Sequence, residues 1–420
     1  MKLIIKNISC LVTCKGSFPK KKDDMKNAGI IENGYVIVEK DKIKAIGQGS
    51  GYKLFLEEGD KIIDGNGKTL TPGLVDCHTH IVYSGSREKE LSMKLNKVSY
   101  LEILSKGGGI LNTVRNTRDA SFDELVREST ERLDLMLLHG TTTIESKSGY
   151  GLDRQSEIKI LEVNRELDSK HPIDIVSTYL GAHAMPMEYK DNREAYLESI
   201  IEKDIPWVVE NNLAEFIDVF CEEGVFTVEE SRRVLLAGKR AGLKSKIHAD
   251  EIKSIGGAEL SGELKAISAE HLVAASDKGI KAMADNNVVA VLLPSTSFYL
   301  MLNHYANARK MINNGVIVAL ATDCNPGTSP NESLQLTMMF GCFGMKMMPE
   351  EIINAVTINA ACAIGREKSI GSIEVGKKAD LVLFDSKNLD YLIYHIGSNS
   401  VNIVIKDGNI VVEKGSGMNV

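Results

Sequence analysis

Two histidines two residues apart close one apolar run, Gly73-Leu-Val-Asp-Cys-His78-Thr-His80. On a strand, residues i and i+2 point to the same face, so both imidazoles can chelate one ion. Three more histidines, His183, His248 and His271, stand where other apolar runs stop. Asp323 ends the run VIVALATD, and Glu251 follows His248 by three residues. Imidazole and carboxylate donors suit zinc or iron. Three or four such ligands with one open position lower the pKa of a bound water to about 7. The expected site is one metal per chain, Zn2+ or iron (Fe2+ or Fe3+), held by His78, His80, His248 and Asp323. His139, His171, His304 and His395 fall in helical or loop stretches and receive no role.

These residues need a scaffold that brings distant strand ends together. Eight short apolar runs cover residues 73–80, 141–146, 175–183, 217–222, 245–248, 269–272, 288–294 and 316–323. Helical patterns lie between them, including 122–138, 156–168, 228–241 and 306–313. Repeated strand–helix alternation implies a parallel sheet with helices outside, and eight units imply a closed (β/α)8 TIM-like barrel. Such barrels carry their chemistry at the C-terminal ends of the strands, which is where the histidines fall. Residues 71–365 therefore read as a catalytic barrel. Residues 1–70 and 366–420 read as short strands with Gly and Asn turns, among them 2–5, 35–39, 43–46, 61–63, 380–385 and 401–406. Asp407-Gly408 is a hairpin turn. Neither flank suffices for a domain, so the two are expected to pair into one composite β-sandwich.

A two-metal centre would commonly take a bridging carbamylated lysine from the barrel interior. The fourth run, 217–222, has no lysine, and Lys147 after the second run reads as a charge on a loop. One metal is the consequence.

Composition narrows the setting. The 420 residues carry 50 basic and 57 acidic side chains, a net charge of −7, which disfavours nucleic acid and anionic membrane as partners. Lys6, Asn7 and Ser9 interrupt the apolar N-terminus, so no signal-peptide core is expected. No apolar run reaches the roughly 18 residues of a membrane span. The seven cysteines are scattered without CxxC spacing, as reduced thiols in a cytoplasmic protein would be. A homodimer is the expected assembly.

PGLVDCHTH followed by a strand-end His and a strand-end Asp resembles the amidohydrolase superfamily, over nearly the whole chain. Further segments are similar to one of its families, the imidazolonepropionases. They are Tyr100-Leu-Glu-Ile-Leu104 with Gly107–Arg118, then Glu145-Ser-Lys-Ser-Gly-Tyr-Gly-Leu152, Ala182-His-Ala184, His248-Ala-Asp-Glu251 and Asp323-Cys-Asn-Pro-Gly-Thr-Ser329. Ser146 departs from the apolar residue expected there. The resemblance implies hydrolysis of 4-imidazolone-5-propanoate, a five-membered cyclic amide, to N-formimidoyl-L-glutamate in histidine degradation. It carries over Arg87, Tyr150, His183, Glu251, Asn325, Gly327 and Thr328 as substrate contacts.

That chemistry makes three demands. A hydroxide must reach the ring carbonyl, which the metal meets. Protons must move and an oxyanion must be stabilised, for which Glu251, His271 and Asp323 are the catalytic candidates, their division of labour left open. A cation must hold the propanoate, and Arg87 can grip it with two parallel hydrogen bonds. Without the resemblance, Arg87 reads as a surface charge, since Glu88, Lys89 and Glu90 follow it. The segment GGGILNTVRNTR lacks the GK[ST] ending of a phosphate-binding loop. It reads as a tight active-site loop bearing Arg115 and Arg118. The rivals are a base deaminase on the same scaffold, recognisable by ammonia release, and a non-enzymatic binding or scaffolding protein, recognisable by absence of metal.

Overall fold

The computed structural model describes residues 2–16, 18–96, 108–415 and 417–418; the predicted motif residues Tyr100–Leu104 and Gly107 lie outside the described residues. Its centre is an eight-stranded parallel sheet in sequence order: Leu74–Thr79, Thr141–Lys147, Asp174–Ala182, Phe216–Cys221, Lys244–Ala249, Ser268–His271, Val289–Leu292 and Ile317–Leu320. Each strand overlaps one of the eight predicted runs, five of them reaching a residue beyond it. The sheet curls until its ends meet. A parallel bridge joins Thr79 to Cys324. There Asp323 N donates to His78 O at 3.1 Å and His80 N donates to Cys324 O at 2.9 Å. Lower down, Thr322 N donates to Asp76 Oδ1 at 3.0 Å. The seam that closes the barrel is thus also the seam that sets His78 and His80 beside Asp323.

Local chemistry explains why two of the helices start where the sequence predicts. Phe122–Leu138 and Val228–Ala241 each open on a capping box. Glu124 N donates to Ser121 Oγ at 3.2 Å, and Ser121 N donates back to Glu124 Oε2 at 2.8 Å. Gly242, at φ 103°, ends the second of these helices in the left-handed region.

The flanking segments form one nine-stranded sheet. Lys2–Val12 pairs antiparallel with Ile30–Glu39 and parallel with Lys61–Asp64 and Thr69–Pro72. Thr69–Pro72 pairs antiparallel with Leu381–Phe384, which continues to Val401–Lys406 and Asn409–Glu413. Leu3, Ile5, Leu11 and Leu70 from one flank share a buried cluster with Leu381, Leu383, Ile403 and Ile405 from the other. Each such side chain contributes roughly 1.5–3 kcal/mol when buried, and neither flank holds the cluster alone. The Asp407-Gly408 turn has both residues at positive φ, 47° and 78°, as a tight hairpin requires. The first strand is longer than residues 2–5 because a bulge between Ile5 and Ile8 takes up Asn7, at φ 54°, and restores the alternation. The chain enters the barrel at Gly73. A Cβ there would lie 2.2 Å from Thr142 Oγ1, so only glycine allows the approach.

Two expectations are corrected. Ile110–Asp119 is a helix, not a loop, and Arg118 faces away from the cavity: its Nε donates to Gly151 O at 2.6 Å and lies 2.8 Å from Asp153. Ile110 is the residue of this helix that reaches the cavity wall. Lys147 is not a loop charge. It ends the second barrel strand with its side chain fully buried, because Glu145 and Asp218 await it inside, at 2.9 and 2.8 Å.

No helix among the described residues is long and apolar enough to cross a membrane.

Candidate active site

The C-terminal ends of the barrel strands surround a cavity of about 280 Å3. His78 and His80 come from the first strand, His183 follows the third, His248 lies on the fifth, and His271 ends the sixth. The ring centroids of His78 and His248 are 4.6 Å apart, and those of His80 and His248 5.5 Å. Asp323 Oδ1 lies 3.4 Å from His78 Nε2 and 3.8 Å from His80 Nε2. Its other oxygen accepts from Thr296 Oγ1 at 2.6 Å, which aims Oδ1 at the histidines.

This donor set fits a divalent cation. Both ring nitrogens of His78, Nδ1 of His80 and Nε2 of His248 are buried without a hydrogen-bond partner. A buried nitrogen without a partner costs roughly 1–3 kcal/mol, unless something coordinates it. Burial, with the neighbouring cationic groups, holds His78 and His80 well below the ordinary histidine range. Neutral imidazole is the form that binds metal. Ligand atoms of His78, His80 and Asp323 lie within 4.8 Å of one another, as do those of the sets His78, His248, His271 and His80, His183, His248. His248 thus shares one set with His78 and His271 and another with His80 and His183, while Asp323 joins His78 and His80 in a third.

Behind the histidine cluster lies an ionic layer that the sequence reading missed. His248 Nδ1 donates to Asp218 Oδ2 at 2.9 Å, which leaves Nε2 facing the other histidines, the orientation a metal ligand needs. Burial works against a charge on His248, but the Asp218 carboxylate outweighs it and raises the ring's pKa. Asp218 accepts from Lys147 Nζ at 2.8 Å, Lys147 also reaches Glu145, and Glu145 Oε2 lies 2.9 Å from Lys246 Nζ. The signal was present: Asp218, Glu145 and Lys246 are charges inside apolar runs, where burial demands a partner.

The substrate-contact candidates line the same cavity. Arg87, Tyr150, His183, Glu251, Asn325 and Thr328 form its wall together with Phe220, Ile252 and Leu300. Gly327 lies behind Arg87, close enough that a Cβ on it would sit 1.9 Å from Arg87 Nη1. Arg87 is not a surface charge; its side chain is 9% exposed. Gly149 O accepts from His183 Nδ1 at 3.0 Å, so His183 offers Nε2 to the cavity. The Gly149–Leu152 turn that carries Tyr150 is held by Glu157, which accepts from the N–H groups of Gly149, Gly151 and Leu152 at 2.9, 2.7 and 2.7 Å. Glu251 Oε2 lies 3.7 Å from His271 Nε2. Burial, then the charge of Asp323, pushes Glu251 up to about 8. Burial pushes Asp323 itself up to about 6 and His183 down to about 3. His271 and Asp323 both have positive φ, 68° and 54°, a strained conformation that in non-glycine residues concentrates at functional sites.

A barrel with these donors at its strand ends defines a class of metal-dependent hydrolases, and the chain belongs to the amidohydrolase family, whose model matches residues 69–411. Over 98% of both chains it is 56% identical to the imidazolonepropionase of Alkaliphilus oremlandii. It is also 56% identical to that of Treponema denticola, over 91% of this chain and 92% of the other. These relatives place it in the imidazolonepropionase family. Among solved structures, an adenosine deaminase from Xanthomonas campestris with bound zinc superposes with a TM-score of 0.74 at 17% identity, covering 100% of this chain and 94% of that one. Guanine deaminase of Escherichia coli gives 0.74 at 16%, covering 99% of each. At that identity the likeness concerns the fold.

Proposed function

We infer that this chain hydrolyses the cyclic amide of 4-imidazolone-5-propanoate to N-formimidoyl-L-glutamate, in the degradation of histidine. One observation carries the reading. A small cavity holds a cluster of metal-type donors at its floor and a buried arginine on its wall, as a reactive ring with a short anionic tail requires. Full-length similarity to curated imidazolonepropionases supports it.

His78, His80, His248 and Asp323 are the residues we assign to one zinc or iron ion. When bound, that ion supplies a water acidic enough to ionise near neutrality. Asp218 and Thr296 hold His248 and Asp323 in ligand orientation. Arg87 grips the propanoate, and Tyr150, His183, Asn325, Gly327 and Thr328 shape the site around ring and tail. Glu251 moves a proton to the leaving ring nitrogen; its raised pKa suits a group that must both accept and donate near neutrality. His271 steadies the oxygen that gains charge as the carbonyl turns tetrahedral. Asp323 is the third proton-handling candidate. The division into a catalytic barrel over 71–365 and a composite β-sandwich domain from 1–70 and 366–420 belongs to the same reading, as do a homodimer, a cytoplasmic location and a small-molecule partner in place of nucleic acid or membrane.

The test is direct assay with 4-imidazolone-5-propanoate, following loss of its ultraviolet absorbance and the appearance of N-formimidoyl-L-glutamate. Inertness toward that substrate with ammonia release from a purine or pyrimidine would replace the reading with a deaminase.

A further inference from the structure

The cavity's arginine is already engaged. Arg87 Nε donates to Glu90 Oε1 at 3.0 Å and Nη2 to Glu90 Oε2 at 2.9 Å. Glu90 is itself fixed, since Gly109 N donates to Oε1 at 2.7 Å. Glu90 is 6% exposed and Lys94, one turn further along the same helix (Lys89–Leu95), is 15% exposed. Lys94 Nζ lies 3.9 Å from Glu90 Oε2 and donates to Gly327 O at 2.8 Å. Asn325 completes the frame: its Oδ1 accepts from Gly327 N at 2.9 Å and Thr328 N at 2.8 Å.

A guanidinium has two edges that can each hold a carboxylate in a two-bond fork. Glu90 occupies the Nε–Nη2 edge of Arg87. The Nη1–Nη2 edge is left on the cavity wall, with room for Nη1 only because Gly327 has no Cβ, which would lie 1.9 Å from it. The charges need balancing as well. One arginine shared by Glu90 and a substrate carboxylate leaves a net negative charge in a site of low exposure, which is costly. Lys94 is the nearby cation that brings the count to zero.

We propose that Glu90 and Lys94 complete the carboxylate subsite. Glu90 is a positioning residue that holds Arg87 by one edge and presents the other to the propanoate. Lys94 supplies the balancing charge and ties the helix to the backbone of Gly327. The ligand class of this subsite is a short-chain carboxylate carried on a ring. The inference rests on the reading of the substrate given above.

The sign of the effect separates positioning from simple electrostatics. If Glu90 acted only as a nearby negative charge, neutralising it would tighten binding of an anionic substrate. If it positions Arg87, neutralising it weakens binding. Glu90→Gln and Lys94→Met are to be assayed with 4-imidazolone-5-propanoate and with the 4-imidazolone that lacks the side chain. The expected result for Glu90→Gln is a KM for the tailed substrate raised roughly tenfold, the scale of one charge-assisted hydrogen bond. Its kcat stays within about twofold, and the tail-less substrate is unaffected. Lys94→Met, which keeps the Arg87–Glu90 fork, raises the same KM and keeps the proposal testable should Glu90→Gln misfold. A lower or unchanged KM in Glu90→Gln, or equal changes on both substrates, would overturn it. Failure of the unmodified protein to act on 4-imidazolone-5-propanoate at all would instead refute the substrate reading.

Discussion

Asp218→Asn asks whether a carboxylate, and not only its shape, is needed behind His248. Asp218 accepts through Oδ1 from Val219 N at 2.7 Å and His248 N at 3.1 Å, and through Oδ2 from His248 Nδ1 at 2.9 Å and Lys147 Nζ at 2.8 Å. An amide has one acceptor oxygen. With that oxygen on the two backbone N–H groups, the NH2 meets the Nδ1–H and an ammonium, donor against donor. Flipping the amide only moves the clash to the backbone pair. His248 escapes by shifting its proton to Nε2, the nitrogen buried without a partner and assigned to the metal. Loss of such an outer partner typically lowers metal affinity about 10- to 100-fold, or roughly 1.4–2.8 kcal/mol. Lys147 keeps Glu145 at 2.9 Å, so the ammonium is not stranded. The assay is zinc titration against a competing chelator, with melts of both metal-free proteins to account for folding. Equal zinc affinity in the two folded proteins would refute the reasoning.

Other outcomes follow from the same geometry. Exhaustive chelation should abolish turnover, and activity should return in proportion to about one equivalent of zinc or iron, as expected for a mononuclear site; saturation at two tightly held ions would contradict it. Glu251→Gln should keep its metal by elemental analysis yet lose about a hundredfold to ten-thousandfold in kcat; native turnover would remove Glu251 from the proton path. Arg87→Ala should raise KM for the propanoate substrate roughly tenfold to hundredfold without changing metal content, with Arg87→Lys in between. Equal losses on a tail-less imidazolone would mean that Arg87 acts on the ring or the fold. Burial pushes Glu157 up to about 7 from 4.5. A carboxyl raised by folding gives stability that is full below its unfolded pKa and is lost as pH rises through the folded one. Between about pH 4.5 and 7 the metal-free native protein should therefore lose ~3 kcal/mol more than Glu157→Gln, at about 1.4 kcal/mol per pKa unit. Parallel pH slopes in denaturant titrations would show that the three N–H donors already offset the burial.

The barrel was legible because it is written in local terms. Eight apolar runs separated by amphipathic stretches require parallel strands with helices outside, and capping residues such as Ser121 and Thr227 mark where helices begin. The ligand candidates were legible for the same reason: a histidine at a strand end points into the mouth wherever the strand lies. Pairing across the chain was not legible, because contacts between distant residues follow from closure of the barrel, which no local pattern records. Lys147 looked like a loop charge until the second and fourth strands set Asp218 within 2.8 Å of it. The segment at Ile110–Asp119 looked like a loop for its glycines, yet past Gly109 its apolar spacing suits a helix packed on the barrel wall. Arg87 reads from its neighbours as a solvent-facing charge. Only the fold turns it inward, by seating Glu90 against Gly109 N and leaving Gly327 without a side chain in its way. Residue type and strand register were enough to name the chemistry. Which charges neutralise one another was decided by tertiary structure, because an ion pair depends on distance in space and not on separation along the chain.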